Sequence, residues 1–260
     1  MVIAFIGDIV GRPGRRTVES VVPQIKSQHK PDLIIANIEN AAGGFGVTEK
    51  AMSEAERAGV DFFTSGNHIW DKREGVELLS SRRNIIRPAN YPGSEHGTGF
   101  KVISVGGTSV GIFNAQGRVF MPPLDCPFRT IDQCLNKVGD GCNIKIVDFH
   151  AEATSEKRAM GWYLDGRVSA VLGTHTHVPT RDAQILPGGT AYVTDVGMTG
   201  SNDSVLGIAK EPIIKRFKDM RPTRFEVARG DLRCDFVIMD IDESTGRARG
   251  FEHLQTKVEE

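Results

Sequence analysis

Polar side chains with metal-binding chemistry follow short apolar segments at five places in the sequence. Together these places supply two carboxylates, two amides and three imidazoles. Such a mixed set of nitrogen and oxygen ligands suits Fe, Mn or Zn better than Ca, which prefers ligand shells made only of oxygen. The candidate metal ligands are Asp8, Glu39, Asn40, Asn67, His150, His175 and His177.

The number of candidate ligands indicates two metal ions. Seven side chains are too many for one tetrahedral zinc, but they suit two ions that share a bridging carboxylate. Paired ions about 3.5–4 Å apart recur in enzymes that hydrolyse phosphoesters. They hold the phosphate between them and lower the pKa of a bridging water. The ligand set therefore predicts a dinuclear hydrolytic site.

Each motif also has an ordinary structural interpretation when it is taken alone. Asp8 can cap a helix, the pair Glu39-Asn40 can lie in a solvated loop, and His150 can be a core histidine. The most specific element is His175-x-His177, because alternate residues of an extended segment point the same way. Four of the seven histidines lie at these positions. The other three are expected at the surface: His29, His96 and His253.

The first half of the chain alternates between apolar runs and amphipathic segments. Strands are predicted at 2–6, 32–38 and 60–64, and helices at 15–29 and 48–58. This alternation of strands and helices indicates a parallel sheet with covering helices. The carboxyl ends of parallel strands share one edge of the sheet, where ligands bind, so the distant motifs can meet there.

The second half is richer in strands. Gly106-Gly107 indicates a hairpin, and Gly230-Asp231 suggests a second hairpin near the end of the chain. The whole chain, 1–260, is interpreted as a single α/β domain. The predicted elements are the hairpin 100–105 with 109–114, strands 144–149, 170–172 and 190–193, a helix at 155–164, and the hairpin 225–228 with 233–240.

Composition narrows the class of protein. Of the 260 residues, 39% are hydrophobic, which is ordinary for a globular protein. The formal net charge is -1, so the chain has no overall basic charge of the kind that binds nucleic acid. The four cysteines have no CxxC spacing and fit free thiols in a reducing compartment. No signal peptide is recognised, and no apolar stretch reaches the roughly 20 residues that span a bilayer. The expected location is the cytoplasm, with no membrane partner.

The order of the motifs resembles the calcineurin-like metallophosphoesterase superfamily. That order is Gly-Asp, Glu-Asn, Gly-Asn-His, a single His, and Gly-x-His-x-His. Two departures are similar to the bacterial YmdB-like phosphodiesterases: Asp8 is not followed by x-His, and Glu39 stands where a bridging Asp is usual. Further stretches look like the same family: Gly7-Asp-Ile-Val-Gly-Arg12, Asn37-Ile-Glu-Asn-Ala41, Gly66-Asn-His-Ile-Trp-Asp71 and Asp195-Val-Gly-Met-Thr-Gly200.

The resemblance implies a role for each matching residue. It implies a fold that is a sandwich of two mixed β-sheets flanked by α-helices. His68 matches the family histidine that faces the phosphate and is not a ligand. One implied metal site consists of Asp8, Glu39, Asn40 and His177, and the other of Glu39, Asn67, His150 and His175, with Glu39 bridging.

The implied activity is hydrolysis of phosphodiesters by a hydroxide that bridges two ions, Fe or Mn first and Zn as an alternative. The implied substrates are 2',3'-cyclic nucleotides, with RNA ends as a further possibility, and family members are often homo-oligomers. His68 is expected to be the general acid, since histidine exchanges protons near neutral pH. No residue is assigned to substrate binding.

Three alternatives stay open at this stage. A non-catalytic regulator that senses a nucleotide can keep the same fold. A dinucleotide-binding module fits the alternating first half, although the Gly-x-Gly fingerprint is missing. Asp71 can orient His68 or cap the next helix, and the cap is favoured. Gly43-Gly44-Phe45-Gly46 lacks phosphate-loop spacing and is interpreted as a loop at the rim of the site.

Overall fold

The computed structural model describes residues 1–93 and 95–258. The helices in these ranges are α1 (Gly11–His29), α2 (Glu49–Ala58), α3 (Arg73–Ser81), α4 (Pro127–Val138), α5 (Thr154–Leu164) and α6 (Lys210–Asp219). The strands are β1 (Val2–Ile6), β2 (Asp8–Ile9), β3 (Leu33–Asn37), β4 (Phe62–Thr64), β5 (Phe100–Val105), β6 (Thr108–Gln116), β7 (Ile144–His150), β8 (Ala170–Thr174), β9 (Gln184–Ile185), β10 (Ala191–Val193), β11 (Met198–Ser201), β12 (Leu232–Ile241) and β13 (Ala248–Lys257).

The strands form two mixed sheets. The first has the order β2-β11-β12-β1-β3-β4, and β13 also pairs with β12. In it, β1, β3 and β4 are parallel, whereas β12 runs antiparallel to β1. The second has the order β5-β6-β7-β8-β10-β9, with β6, β7, β8 and β10 parallel. The predicted sandwich of two mixed sheets flanked by helices is confirmed.

Strand β1 is packed against other residues on both of its faces, and its sequence is apolar at consecutive positions. Ala4 and Ile6 face the core beneath α1 and α2, and Ile3 and Phe5 face the core between the two sheets. A strand that is covered on both faces needs apolar residues at consecutive positions rather than at alternate ones. The outer face of the second sheet packs against α4 and α5 in a third core.

Two helices differ in detail from their predictions. Helix α1 begins at Gly11, four residues before the predicted start, and continues through Pro23, whose ring is exposed. Its buried valines, including Val18 and Val22, hold it against the first sheet. Helix α2 begins at Glu49, one residue after the predicted start, because Thr48 caps it: its hydroxyl accepts a hydrogen bond from the backbone N–H of Ala51 at 3.3 Å.

The predicted C-terminal hairpin is wrong. Strand β12 pairs along its length with β13 instead of with 225–228, and Val227 forms only an isolated bridge with Ile208. Strand β13 lies at the edge of the sheet and mixes apolar, polar and charged residues without a regular alternation, so its signal in the sequence is weak. Helices α3, α4 and α6 were also not predicted from the sequence.

The prediction that the remaining histidines lie at the surface has a mixed outcome. His96 is exposed, as predicted, but His253 is half-buried, with its ring nitrogens 3.1 and 2.8 Å from the carbonyl oxygens of Thr180 and Val196. All four cysteines are free thiols. None of the helices within the described ranges combines the length and apolar character that crossing a bilayer requires.

Candidate metal centre

The predicted site residues lie at the carboxyl ends of parallel strands from both sheets. Glu39 and Asn40 follow β3, and Asn67 follows β4 in a short 3₁₀ turn. His150 is the last residue of β7, and His175 follows β8 directly. The two edges of the sandwich therefore face a common cleft, which is the position where open parallel sheets bind ligands.

Three of the candidate ligands surround the ring of a fourth, His150. Its Nε2 lies 3.0 Å from Oε1 of Glu39, 3.1 Å from Oδ1 of Asn67 and 3.1 Å from Nδ1 of His175. The donor atoms of Glu39, His150 and His175 all lie within 4.8 Å of one another, close enough to share one ion. This group contains the same residues as one of the two implied metal sites.

The remaining candidates gather on the other side of Glu39. Nδ2 of Asn40 lies 3.1 Å from Oε1 of Glu39 and 3.2 Å from Nε2 of His177. Nε2 of His177 is also 3.9 Å from Oδ1 of Asp8. Asn40 would ligate a metal through Oδ1, which requires its amide to rotate by half a turn. Glu39 is thus in contact with both groups.

Hydrogen bonds fix which nitrogen of His150 faces the cluster. Nδ1 of His150 lies 2.9 Å from the hydroxyl of Thr174, and that hydroxyl donates to Oδ1 of Asp148 at 2.6 Å. Nδ1 must therefore carry a proton and donate it to Thr174. Such partners orient metal-binding histidines and leave the opposite nitrogen available.

The other two imidazoles are oriented in the same way. Nδ1 of His177 donates to the backbone oxygen of Leu206 at 3.0 Å, which leaves Nε2 facing Asp8. Nε2 of His175 lies 3.1 Å from Oε2 of Glu152, which leaves Nδ1 facing His150. All three histidines thus present an available nitrogen to the cluster.

The sequence argument for His175-x-His177 is wrong in its geometry. The two residues have φ values of 97° and 62°, so they lie beyond the strand in left-handed backbone, and their rings reach opposite groups of side chains. Asp195 holds the turn, because its Oδ2 accepts hydrogen bonds from Thr176 N at 3.1 Å and Oγ1 at 2.7 Å and from Nζ of Lys157 at 2.6 Å. Non-glycine residues with positive φ persist only where the surroundings hold them, and they cluster at functional sites.

The sequence analysis missed these supporting residues. Asp148 and Asp195 are completely buried, and neither was assigned a role. The sequence does indicate Asp148, because it is a carboxylate between the apolar residues Val147 and Phe149, two residues before His150. Nothing in the sequence indicates a role for Lys157, because its burial against Asp195 depends on how helix α5 packs.

Burial and mutual charge set the proton positions of the centre. Burial alone would raise the pKa of Glu39, but His150 and His68 outweigh it and lower the pKa to about 2. Burial alone would lower the pKa of His150, but Glu39, Asp8 and Asp148 raise it to about 9. Without metal, His150 therefore carries a proton at neutral pH that a metal ion must displace.

Burial shifts the pKa of two other candidate ligands toward the uncharged form. Burial and the charge of His150 lower the pKa of His175 to about 3, so its ring is neutral and able to act as a ligand. Burial raises the pKa of Asp8, although His177 and His150 partly offset the effect. A buried carboxylate in such surroundings ionises most readily beside a positive charge.

The cluster passes two tests of fit for metal ions. Oδ1 of Asp8 is buried and has no hydrogen-bond partner among the described residues. Gly66 leaves room at the centre, since a Cβ there would lie 2.2 Å from Nε2 of His150 and 2.4 Å from Oε2 of Glu39. The donor types, the unsatisfied oxygen and the space kept by glycine all fit bound cations.

His68 lies beside the cluster without belonging to it. Its backbone N–H donates to Oε2 of Glu39 at 2.8 Å, and its Nδ1 is 2.7 Å from Oδ2 of Asp71. Its ring also meets Phe45 edge-on, with centroids 4.9 Å apart. The interpretation of Asp71 as the cap of α3 is wrong, because Lys72 holds that position and makes no side-chain cap. Asp71 instead orients His68.

The cluster opens into a cleft of about 360 Å³. Glu39, His68 and His177 line one side of it, and the loop residues Gly44 and Phe45 lie at its rim, as predicted. Two larger grooves beside α1, of about 1200 and 750 Å³, contain none of the candidate ligands. The chemistry of the lining, rather than the size, identifies the smaller cleft as the candidate active site.

Known proteins are similar to this chain in both sequence and fold. The chain matches the YmdB-like protein family over residues 4–254. It is 49% identical over 254 residues to the 2',3'-cyclic-nucleotide 2'-phosphodiesterase of Bacillus subtilis, a match that covers 98% of this chain and 96% of that one. A crystal structure from Mycoplasma pneumoniae, described as a novel phosphatase, is 32% identical with a TM-score of 0.94, covering 99% and 93% of the two chains.

A more distant structure shows the fold alone. The NAD nucleotidase of Haemophilus influenzae is 13% identical, with a TM-score of 0.57 over 99% of this chain and 55% of that one. This likeness agrees with the two mixed sheets found here and excludes the doubly wound sheet of a dinucleotide-binding module.

Proposed function

The chain belongs to the YmdB-like protein family, and we propose that it is a metal-dependent phosphoesterase that hydrolyses 2',3'-cyclic nucleotides. The observation that carries this proposal is the convergence of six other nitrogen- and oxygen-bearing side chains, from both sheets, around Glu39. The name of the Bacillus subtilis relative supports the choice of substrate.

Two groups of side chains would hold the metal ions. One group is Glu39, Asn67, His150 and His175, and the other is Asp8, Glu39, Asn40 and His177. Bound ions of this kind act as Lewis acids toward a phosphate and lower the pKa of water. The mixed ligands favour Fe or Mn, with Zn as the alternative.

His68 would transfer the proton that the leaving group needs. Its side chain lines the cleft, and Asp71 accepts a hydrogen bond from Nδ1. Nε2 is then the atom that donates a proton to the departing ribose oxygen, while Asp71 stabilises the charged ring. A ribose alkoxide is a poor leaving group near neutral pH, and general acids typically contribute about 10²–10⁴-fold to such reactions.

A comparison of two leaving groups tests this role. His68→Ala is expected to lower turnover of 2',3'-cyclic AMP by about 10²–10⁴-fold. It should lower turnover of a nitrophenyl phosphodiester far less, because that leaving group departs without a proton. The metal content, measured by plasma mass spectrometry, should stay unchanged. Equal losses on both substrates would reject the acid role, and no loss on either would reject His68 as a catalytic residue.

The same assay addresses a non-catalytic nucleotide sensor on this fold. Such a protein needs no complete ligand set and no proton donor, whereas this chain keeps both groups of ligands and the His68–Asp71 pair. Wild-type protein loaded with Mn or Fe should therefore turn over the cyclic nucleotide. Binding without turnover under these conditions would favour the sensor.

A further inference from the structure

One wall of the cleft is formed by a segment that lies outside the two sheets. Residues 205–228, here called the α6 arm, leave the first sheet after β11 and return before β12. Backbone hydrogen bonds close the arm at its base, from Ala209 N to Glu226 O at 2.8 Å and from Ala228 N to Gly207 O at 2.9 Å. The arm is therefore held together at its base by backbone hydrogen bonds, and its outer part extends away from the two sheets.

The arm is attached directly to the candidate metal centre. The backbone oxygen of Leu206 accepts the hydrogen bond from Nδ1 of His177, so the same contact orients a metal ligand and fixes the arm. Leu206, Ile213, Arg216 and Phe217 line the cleft opposite the ligands. The arm residues that line the cleft therefore lie close to a substrate bound at the metals.

The cleft continues outward along the arm. Arg216 and Phe217 also line an adjoining hollow of about 380 Å³, together with Met220 and Arg221. From Ile213 to Met220, helix α6 advances about 10 Å at 1.5 Å per residue. Bases of a nucleic-acid strand stack about 3.4 Å apart, so this length exceeds that of one nucleotide.

The surface of the arm combines exposed aromatic and basic side chains. Phe217 is 75% exposed and Met220 is 83% exposed, although both are large and apolar. Within the arm, residues 205–228, the sequence has six Lys or Arg against three Asp or Glu, whereas the whole chain has 32 against 33. The guanidinium of Arg216 lies 5.0 Å from the ring centroid of Phe225. Among the described residues, Arg221 has no ion pair with a carboxylate.

These features match the recognition of a single strand of nucleic acid. Such strands are held by aromatic side chains that stack on bases and by basic groups that follow the phosphates. Resting on the proposed function, we propose that the α6 arm binds the nucleotides that precede a 2',3'-cyclic phosphate, so that the preferred substrate is a single-stranded RNA with this terminus. Phe217 stacks on a base of the strand, and Arg221 binds its backbone.

The test compares one substrate with and without a strand attached. The substrates are 2',3'-cyclic AMP and a short oligoadenylate that ends in a 2',3'-cyclic phosphate. Wild-type protein should have the lower KM for the oligoadenylate. Phe217→Ala and Arg221→Ala should each raise that KM about tenfold, in line with the loss of one stacked base or one phosphate contact. Arg221→Ala, in the adjoining hollow, should change the KM for cyclic AMP less than about twofold. Phe217 also lines the cleft, so Phe217→Ala should raise the KM for cyclic AMP too, but less than it raises the KM for the oligoadenylate.

Matched controls and a binding assay separate the possible outcomes. Trp162→Ala removes an exposed aromatic residue from α5, Arg57→Ala removes an exposed arginine from α2, and neither should alter either KM. Fluorescence anisotropy with a labelled oligoadenylate that ends in a 3'-phosphate gives a Kd that needs no turnover. This Kd should rise with salt and with both arm substitutions.

Each result then has one meaning. Hydrolysis of cyclic AMP with no preference for the strand, or equal changes in both KM values, would overturn the strand-binding role and leave the proposed function intact. Binding of the strand that depends on Phe217, without any hydrolysis, would support the arm and overturn the proposed function. A change of molecular mass in the arm variants, measured by light scattering, would show that a second copy covers α6 and would overturn the proposal.

Discussion

At the residue scale, Glu39 lies where the two groups of candidate ligands meet. Its Oε1 is in contact with His150 on one side and Asn40 on the other, and its Oε2 accepts the backbone N–H of His68. Few other positions are as constrained, because the side chain is completely buried among groups that all need its charge. Replacing it should therefore disturb both metal positions together.

Glu39→Ala should consequently be more harmful than Asn40→Ala. Removing a partner outside the ligand set typically costs about 10–100-fold in metal affinity or activity. Glu39→Ala should exceed that range and lower the metal content at both positions, whereas Asn40→Ala removes one neutral ligand from one group. Metal analysis and turnover measure the difference, with the exposed Glu77→Ala as a control. Full metal occupancy and activity in both variants would contradict the assignment of this motif.

His150 gives the metal-free protein a characteristic pH dependence. Its folded pKa of about 9 lies above the ordinary value of 6.5, so its contribution to stability is fully present below pH 6.5 and is lost as the pH rises through 9. The difference corresponds to roughly 3 kcal/mol. Over the same range, the contributions of Glu39, with a pKa of about 2, and His175, with a pKa of about 3, stay constant.

Thermal unfolding of metal-free protein between pH 6.5 and 9 measures this contribution. The Tm should fall on the order of 10 °C across the range, given about 2–4 °C per kcal/mol for a protein of this size. The exposed His96→Gln variant should show the same fall, since His96 does not touch the cluster. A Tm that stays flat or rises with pH would contradict the proposed charge of His150.

At the scale of elements, the turn after β4 leaves space at the centre. Gly66 precedes Asn67 and approaches His150 and Glu39 so closely that no side chain fits. Its φ of -156° lies outside the left-handed region that favours glycine, so the close approach of these side chains is the reason for glycine here. The same reasoning leaves Gly141 unconstrained, because a Cβ there would meet no atom within 4 Å.

Gly66→Ala should therefore lower metal affinity and turnover by at least about 10–100-fold, the range found when groups around metal ligands are disturbed. Gly141→Ala should leave both unchanged. Circular dichroism would verify that each variant keeps its secondary structure. Normal metal binding by Gly66→Ala would mean that the ions lie elsewhere than between Glu39 and His150.

Sequence reasoning recovered most of the elements that position the site. Strands such as β3 and β7 are buried on both faces, and their apolar runs end directly before Glu39 and at His150. The C-terminal hairpin was mispredicted, because β13, which pairs with β12 across the turn at 242–247, is an edge strand whose mixed composition gives a weak signal. The turn that carries His175 was mispredicted as extended for a different reason, since Asp195 holds it from another strand end.

At the scale of the whole molecule, one core joins the two sheets. Residues of both, such as Phe5 and Ile35 in the first and Ile112 and Ile146 in the second, pack into a single buried cluster. This packing supports the interpretation of 1–260 as one domain, which stays a prediction. The metal centre sits at the edge of this cluster, so its two halves are held by the packing of the sandwich. A homo-oligomer also stays a prediction, and light scattering would measure it.

The central claim is that the edge of the sandwich holds two metal ions on seven side chains. Its most direct test is a titration of metal-free protein with Mn, followed by turnover of 2',3'-cyclic AMP and by metal analysis. We predict that turnover rises until two ions are bound per chain and then stays constant. Full turnover with one ion per chain, and no second ion bound in excess metal, would contradict the account.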